Sequence, residues 1–253
     1  MISDFRHTTI IEKLETHGSV SVADLVREFN VSEMTIRRDL AILESRGLLR
    51  RVHGGATSQR GRSYEPPFIS RAGENLDAKR RIGEAAAALV QNGDSITLDV
   101  GSTTLEIARS LHAKQDLTVI TPSLRIANEL CDHPGIRLIL TGGILRSSEY
   151  SMIGHLAERI FDDFFVDKLF LGAGAVDVKA GVSEFNIEDT LVKRAMVRSA
   201  KKVFLAADSS KFRQVALTSI VPLAKVHTII SDSDLDPHLV TQIRKEGIEI
   251  ILA

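Results

Sequence analysis

Small polar and charged residues follow several apolar, strand-like runs in the second half of the chain. Residues 95–99 form such a run and are followed at once by the glycine and hydroxyl residues 101–104. Comparable loops occur at 121–123, 141–143 and 208–211. Glycine lets the backbone approach an anion, and hydroxyls and N–H groups at a helix start donate hydrogen bonds to it. These loops predict a shared pocket for a small molecule that carries phosphate and hydroxyl groups.

The residue types in these loops suggest different roles. Lys211 and Arg146 can supply positive charge for a phosphate, and Asp99 and Asp208 can accept hydrogen bonds from sugar hydroxyls. Each loop also has a simpler interpretation, in which Ser102 only caps a helix and the glycines only turn the chain. The recurrence of such loops at four strand ends favours the pocket. The candidate effector-binding residues are Asp99, Gly101, Ser102, Thr103, Thr104, Thr121, Ser123, Gly142, Gly143, Arg146, Glu184, Asp208 and Lys211.

A second group of candidates lies near the amino terminus, where positive charge is concentrated. Residues 33–62 contain seven arginines against three acidic residues, whereas residues 1–32 contain three basic residues against five acidic ones. The whole chain has 32 Lys and Arg against 33 Asp and Glu, a formal net charge of −1. A uniformly basic surface is therefore excluded, but a local site for a polyanion is not.

The amino-terminal segment has the pattern of a helix-turn-helix. Residues 22–29 have apolar side chains at helical spacing, and Ser21 stands three residues before Asp24, which is typical of a helix start. Ser32 is a natural N-cap for a further helix that runs to about Ser45. Two short helices separated by four residues constitute this motif.

The second helix of the motif has one apolar and one basic side. Ile36, Leu40 and Leu43 share a stripe that must face the core, so the first turns expose basic and polar residues, as in a recognition helix of the major groove. Residues 48–55 predict a small wing of strand and glycine turn that contacts phosphates. A solvated basic helix in a protein-interaction domain is the alternative, but the combined pattern favours DNA. The candidate DNA-contacting residues are Ser32, Met34, Thr35, Arg37, Arg38, Arg50, Arg51 and His53.

The chain of 253 residues has room for an α/β core and a small accessory domain. The predicted organisation is a winged helix-turn-helix over 1–56, a linker over 57–76 that contains two adjacent prolines, and an effector-sensing domain over 77–253. In the last of these, helical patterns alternate with apolar runs, which predicts a mostly parallel sheet covered by helices. The strands are expected at residues 95–99, 117–121, 137–140, 168–172, 202–207, 226–231 and 248–252.

Several other classes of protein and site are disfavoured. One cysteine excludes a disulfide-stapled scaffold, and the absence of long apolar runs or a signal-like start predicts a soluble, cytoplasmic protein without a membrane partner. Residues 172–177 begin like a dinucleotide fingerprint, but Asp177 replaces the third glycine, so no cofactor is expected. Residues 131–133 offer two potential metal ligands without a second pair, so no metal is expected either.

The residues together closely resemble the DeoR-type bacterial transcriptional regulators. The amino-terminal resemblance lies in residues 31–40 and 47–56, and the later resemblance in residues 99–104, 141–146, 193–196 and 208–211. The resemblance implies a winged helix-turn-helix repressor of a carbohydrate or polyol catabolic operon. It also implies a carboxy-terminal domain resembling ribose-phosphate isomerases and CoA transferases that senses a phosphorylated sugar or polyol, and a homodimer or homotetramer bound to double-stranded operator DNA.

Two other functions remain open from the residues alone. A sugar-phosphate isomerase could use Asp99, Glu184, Asp208 and Lys211 as acid, base and anion clamp. Against this, a DNA-binding module is an unusual attachment for such an enzyme, so the chain is expected not to be an enzyme. A repressor that senses redox state through NAD is disfavoured by the incomplete glycine pattern.

Overall fold

The computed structural model describes residues 3–46, 48–52, 54–58 and 61–253, and the chain divides into two compact units, Met1–Tyr64 and Glu65–Ala253. We call them the amino-terminal unit and the sensor unit. Within the described residues, no helix combines the length and apolar character needed to span a bilayer. The elements of the amino-terminal unit are α1 (Ser3–His17), β1 (Ser19–Ser21), α2 (Val22–Phe29), α3 (Glu33–Ser45), β2 (Leu49–Val52) and β3 (Gly55–Ser58).

The predicted helix-turn-helix is confirmed, together with both of its caps. The Ser21 hydroxyl accepts from the Asp24 N–H at 3.0 Å, and the Ser32 hydroxyl accepts from the Thr35 N–H at 3.2 Å. These contacts satisfy N–H groups that have no partner within the helix. The apolar stripe of α3 is buried in the core that α1 and α2 share.

The wing contains one strand more than the sequence predicts. β2 and β3 form the expected hairpin, and β1 adds to the free edge of β3, with Val20 opposite Ala56. The hydrogen bonds of β1 come from residues more than thirty positions away, so its short sequence carries no periodic signal of its own.

The predicted linker over 57–76 is wrong in extent at both ends. β3 continues through Ser58, and the division between the units falls after Tyr64. Residues from Phe68 onward already belong to the sensor unit, because Phe68 is buried in its core. The two prolines start a short helix here and do not extend a linker.

The sensor unit has seven helices and twelve strands among its described residues. Its helices are α4 (Phe68–Gly73), α5 (Leu76–Ala88), α6 (Ser102–Arg109), α7 (Leu124–Leu130), α8 (His155–Asp163), α9 (Ile187–Ser199) and α10 (Pro237–Lys245). Its strands are β4 (Ser95–Leu98), β5 (Leu117–Thr121), β6 (Ile136–Leu140), β7 (Ile144–Arg146), β8 (Ser151–Ile153), β9 (Val166–Leu171), β10 (Ala175–Asp177), β11 (Gly181–Glu184), β12 (Ala200–Ala206), β13 (Thr218–Val221), β14 (Thr228–Ser231) and β15 (Glu249–Leu252).

Seven strands form the parallel sheet that the alternating pattern predicts. The strand order is β15-β14-β12-β9-β4-β5-β6, and every neighbouring pair is parallel. Both faces are covered: Leu169 and Leu171 of β9 enter one apolar cluster, and Phe170 enters the other. The fold class is therefore confirmed as an amino-terminal winged helix-turn-helix followed by a mostly parallel α/β domain.

The strand order contains one reversal of direction. From β4 the chain proceeds through β5 to β6 at one edge, and β9 then pairs with the other side of β4 and leads towards β15. Connections leave this point in opposite directions, so a crevice opens beyond the carboxyl ends of β4 and β9. The short antiparallel strands, which the sequence did not predict, form separate small sheets of order β10-β11-β13 and β7-β8.

Candidate effector and DNA sites

The basic surface of α3 is exposed as predicted. Arg38 is exposed and has no hydrogen-bond or ion-pair partner in the described part of the chain, and Met34 is 80% exposed. Arg37 is also exposed, but its guanidinium pairs with Glu33 one turn earlier at 2.6 Å. The hydroxyls of Ser32 and Thr35 form a hydrogen bond of 2.8 Å at the start of α3. Arg38 is thus the guanidinium of α3 that is left free for a base edge.

The two wing arginines have different surroundings. Arg50 is exposed and has no partner among the described residues. Arg51 donates to Glu44 of α3 through both its backbone N–H, at 2.8 Å, and its Nε, at 2.6 Å. Arg51 therefore ties the wing to the recognition helix, and Arg50 is the better candidate for a phosphate contact. His53, also predicted for DNA contact, lies outside the described residues.

A buried ion cluster, which the sequence analysis missed, orients α3. Asp39 is 4% exposed and accepts from Arg6 at 2.9 Å and from His7 Nε2 at 2.9 Å. Burial acts to raise the pKa of Asp39, but the hydrogen bonds from Arg6 and His7 outweigh it and lower that pKa below its ordinary value. The sequence did contain a signal for this cluster: Asp39 lies beside the apolar stripe of α3, where burying an unpaired carboxylate would cost free energy.

Replacing Asp39 by asparagine should destabilise the amino-terminal unit by about 2–3 kcal/mol, because the buried ion pair between Asp39 and Arg6 would be lost. The effect should appear as a lower melting temperature of that unit in calorimetry, with the sensor transition unchanged. The folded pKa of Asp39 is lowered, so its contribution is present above the unfolded value and is lost as the pH falls through the folded one. A wild-type protein whose amino-terminal unit melts at the same temperature at pH 3 and pH 7 would contradict this role.

A cleft of about 390 Å³ opens at the reversal point of the sheet. Its walls come from the loops that follow β4, β9 and β12, with side chains from α4, β11 and α9. Six of the predicted ligand-binding residues meet here, and they are Gly101, Ser102, Thr103, Thr104, Glu184 and Lys211. The lining also includes side chains or backbone of Arg71, Val100, Gly172, Ala173, Gly174, Lys193, Ala206 and Ala207.

One end of the cleft is suited to an anion. Gly101 immediately precedes α6 and has a φ of 153°, which favours glycine, and no side chain caps the N–H groups of the first turn of α6. Thr104 donates to the Gly101 carbonyl at 3.1 Å and so shapes the loop. Lys211 also lines the cleft and has no ion-pair partner among the described residues. A helix start beside a free ammonium group favours phosphate or carboxylate.

The cleft lining also contains a buried lysine between two carboxylates. Lys193 of α9 forms an ion pair with Asp99 and a second one with Glu184 at 3.1 Å. Burial raises the pKa of Asp99 to about 6, although Lys193 opposes this shift. Burial also acts to lower the pKa of Lys193, but Asp99 and Glu184 outweigh it and raise that pKa above its ordinary value. Lys193 therefore stays charged in the cleft wall.

Glu184 is the carboxylate that faces the cleft. Burial acts to raise its pKa, but Lys193 and the Phe185 N–H outweigh it and lower that pKa below the ordinary value. A Cβ on Gly174 would lie 2.6 Å from Glu184 Oε1, so glycine is required there. An ionised carboxylate in this position can accept hydrogen bonds from ligand hydroxyls.

Asp99 and Asp208 do not line the cleft, contrary to the prediction that they contact sugar hydroxyls. Asp99 is fully buried and uses one oxygen to hold Lys193 and the Gly172 N–H, the latter at 2.9 Å. Asp208 caps the 3-10 turn Ser209–Lys211 and accepts from Asn75 at 3.1 Å. Both carboxylates therefore position neighbouring lining residues.

Four further predicted residues lie away from the cleft. Thr121 accepts from the Ser123 N–H at 3.1 Å, and Ser123 caps α7 by accepting from the Ile126 N–H at 3.3 Å. Gly142 and Gly143 make the turn between β6 and β7. β5 and β6 lie on the other side of β4 from β9, which explains why these loops do not line the crevice. In these loops the hydroxyl residues cap a helix or brace a turn, and the glycines turn the chain, as the simpler interpretation expects.

Arg146 lies in a smaller chamber that adjoins the cleft and is also lined by Arg71, Glu184 and Lys193. Its guanidinium contacts Glu65 at 2.7 Å and Asp189 at 2.8 Å. Arg146, predicted to bind a phosphate, is therefore already paired with two carboxylates.

Arg71 and Lys193 are cations of the cleft that were not among the predicted ligand-binding residues. Arg71 lies three residues after the buried Phe68, and Lys193 lies three residues before the buried Met196. A charged residue on the buried side of a helix was the signal that could have identified both. The glycines of residues 172–174, dismissed as a dinucleotide fingerprint, in fact form part of the cleft wall.

Comparison with known families matches both units of the chain. The DeoR-like helix-turn-helix domain matches residues 6–61, and the DeoR C terminal sensor domain matches residues 74–233. The putative aga operon transcriptional repressor of Escherichia coli O157:H7 is 36% identical over 98% of this chain and 93% of its own. The glycerol-3-phosphate regulon repressor of Escherichia coli K12 is 33% identical over 90% of both chains.

Two solved structures align with part of the chain. Ribose 5-phosphate isomerase A from Neisseria gonorrhoeae aligns with a TM-score of 0.39 and 16% identity over 53% of this chain and 52% of its own. The tetrameric eIF2B-beta2-delta2 complex from Chaetomium thermophilum aligns with a TM-score of 0.44 and 16% identity over 61% of this chain and 53% of its own. Likenesses at this level carry no conclusion about activity.

The match extends over nearly the whole chain, and both of its units correspond to domains of one kind of regulator. These relatives are transcriptional regulators rather than enzymes, which confirms the prediction that the chain is not an isomerase. The chain belongs to the DeoR family of DNA-binding transcriptional regulators.

Proposed function

We propose that this regulator represses an operon for carbohydrate or polyol catabolism and that a phosphorylated metabolite relieves the repression. The observation that carries the proposal is the cleft at the sheet reversal, which is lined both by groups that suit an anion and by a carboxylate. The α6 start and Lys211 suit a phosphate, and Glu184 suits hydroxyl groups. The name of the glycerol-3-phosphate regulon repressor supports a phosphorylated ligand.

The proposed mechanism has two states with different affinities for operator. Two copies of the chain, as a dimer or within a tetramer, place their α3 helices in successive major grooves of the DNA. The effector binds more tightly to the state whose helices do not match the half-site spacing. A coupling of about 1–3 kcal/mol between the two sites lowers operator affinity roughly 5- to 150-fold.

Replacing Lys211 by alanine should leave operator binding intact and weaken the response to effector. A thermal-shift screen of full-length protein against phosphorylated sugars and polyols, including glycerol 3-phosphate, would first identify the binder. A ligand at one hundred times its Kd stabilises the folded state by about 2.7 kcal/mol. The Lys211→Ala protein should need at least tenfold more ligand for the same shift, because it loses the unpaired cation of the cleft.

Lys225→Ala is the matched control, since Lys225 is an exposed lysine of the same unit that does not line the cleft. It should respond to ligand as wild type does. An effector response in Lys211→Ala equal to that of Lys225→Ala would remove Lys211 from the binding site. Failure of every phosphorylated compound to stabilise the wild type would contradict the proposed effector class.

A further inference from the structure

The segment 65–75, which we call the strap, begins the sensor unit directly after the last residue of the amino-terminal unit. Phe68 anchors it in the sensor core, with the Arg125 guanidinium 4.1 Å above its ring. At its end, Asn75 donates to Asp208 at 3.1 Å, immediately before the loop that contains Lys211. The strap is therefore fixed to the ligand-binding side of the sensor unit.

A buried lysine reinforces this attachment. Lys79 of α5 is 2% exposed, and its ammonium donates to the carbonyls of Arg71 and Glu74, the latter at 2.6 Å. These carbonyls lie at the end of α4, where they have no helical partner. Lys79 thus holds the backbone of Arg71 in place, and the Arg71 guanidinium lies at the cleft.

Arg71 occupies the boundary between the cleft and the adjoining chamber, and it lines both. Its guanidinium pairs with Glu149 and lies 3.5 Å from Glu65, which also accepts from Arg146 at 2.7 Å. Glu65, the first residue of the sensor unit, is therefore held in place by two arginines of the ligand-binding region.

Glu65 shares the two guanidinium groups of this chamber with two other carboxylates. Arg71 and Arg146 together face three carboxylates, those of Glu65, Glu149 and Asp189. Burial, with the nearby charge of Glu149, raises the pKa of Glu65 above its ordinary value despite the contact with Arg146. An anion that entered the chamber would compete with Glu65 for both guanidinium groups.

We infer that Arg71 binds the anionic group of the effector and that this contact displaces Glu65, so that the strap is released at the end joined to the amino-terminal unit. The inference rests on the proposed function, which supplies an anionic effector. The ligand favours the released state because the departure of Glu65 removes a carboxylate that competes with it for the guanidinium groups of Arg71 and Arg146. Effector binding in the sensor unit thereby releases the segment of chain that leads to the helix-turn-helix.

The test uses full-length protein and inorganic phosphate as the probe, compared with chloride at equal ionic strength. In wild type, phosphate should raise the melting temperature of the sensor unit and increase backbone amide exchange over residues 61–65. In Glu65→Gln, exchange there should already be high without phosphate. The phosphate Kd of this variant should fall at least about fivefold, because the competing carboxylate charge is gone.

Glu188→Gln is the control, since Glu188 is an exposed carboxylate at the start of α9, next to Asp189. It should match wild type in both measurements. Arg71→Gln should weaken phosphate binding at least about tenfold and abolish the exchange response; should this variant fail to fold, Glu65→Gln alone decides. Phosphate binding and exchange in Glu65→Gln equal to those of Glu188→Gln would overturn the inference, as would the absence of phosphate-specific binding in wild type.

The outcome also separates this inference from the proposed function. Tighter phosphate binding in Glu65→Gln, in a protein that binds no operator, would support the strap while the proposed function fails. A sugar phosphate that releases wild type and Glu65→Gln from operator at equal concentrations would retain the proposed function and overturn the role of the strap.

Discussion

Replacing Arg38 by alanine should weaken operator binding by about 1–3 kcal/mol, or roughly 5- to 150-fold, and leave binding to random DNA almost unchanged. Arg38 is exposed on the first half of α3 and has no partner in the described part of the chain, so its guanidinium is available for a base edge. A bidentate contact of arginine with guanine distinguishes among bases, whereas a phosphate contact does not. Fluorescence anisotropy with a genomic fragment selected by the protein, and with its scrambled version, measures both affinities.

Arg50→Ala provides the matched comparison, because Arg50 is an equally unpaired arginine on the wing. Its loss should weaken binding to both fragments by a similar factor and lower the slope of affinity against salt by about one ion. Arg37→Ala should have a smaller effect than Arg38→Ala, since Glu33 already pairs with Arg37. Equal losses on operator and scrambled DNA in Arg38→Ala would refute base recognition by this residue.

Replacing Lys193 by methionine should destabilise the sensor unit by about 3–5 kcal/mol, because Asp99 and Glu184 would remain buried without their shared cation. The deficit should be measured by calorimetry as a lower melting temperature of the sensor unit. It should shrink between pH 7 and pH 5, since Asp99 and Glu184 can each take up a proton once Lys193 is gone. The amino-terminal transition should not move.

Two variants make this result specific to the buried cluster. Lys202→Met replaces an exposed lysine of β12, in the same sheet, and should cost little. Adding Asp99→Asn to Lys193→Met removes one of the two orphaned charges and should recover part of the loss. A melting temperature of Lys193→Met equal to that of Lys202→Met would show that the cluster contributes no stability.

The local features of this protein follow closely from its sequence. Ser21 and Ser32 cap the helices for which they were predicted, and strands β4 and β5 begin at the expected residues. A cap or an amphipathic stripe depends on residues within four positions of one another, so neighbouring side chains alone determine it. The loop at 101–104 was recognisable for the same reason, since its glycine and the following helix are adjacent in the chain.

Partnerships between distant residues were not predictable in this way. Asp99 and Lys193 are 94 residues apart, Arg71 and Glu149 are 78 apart, and Arg6 and Asp39 are 33 apart. Nothing in the neighbouring sequence of these residues identifies the counterion, because only the fold brings the two partners together. The assignment of Asp99 to a sugar hydroxyl failed because its carboxylate is fully enclosed and already engaged by Lys193 and Gly172.

By itself, the sequence determined the two-part organisation, the helix-turn-helix with Arg38 on its second helix, the parallel α/β class and the glycine and hydroxyl loop at the start of α6. Only the tertiary structure decided which strand ends share a crevice, and so which polar loops line it. Hydrophobic periodicity specifies that a strand is buried but not which strands flank it. The reversal of strand order between β4 and β9 brings Glu184, Lys193 and Lys211 to one cleft and leaves Thr121 and Ser123 outside it.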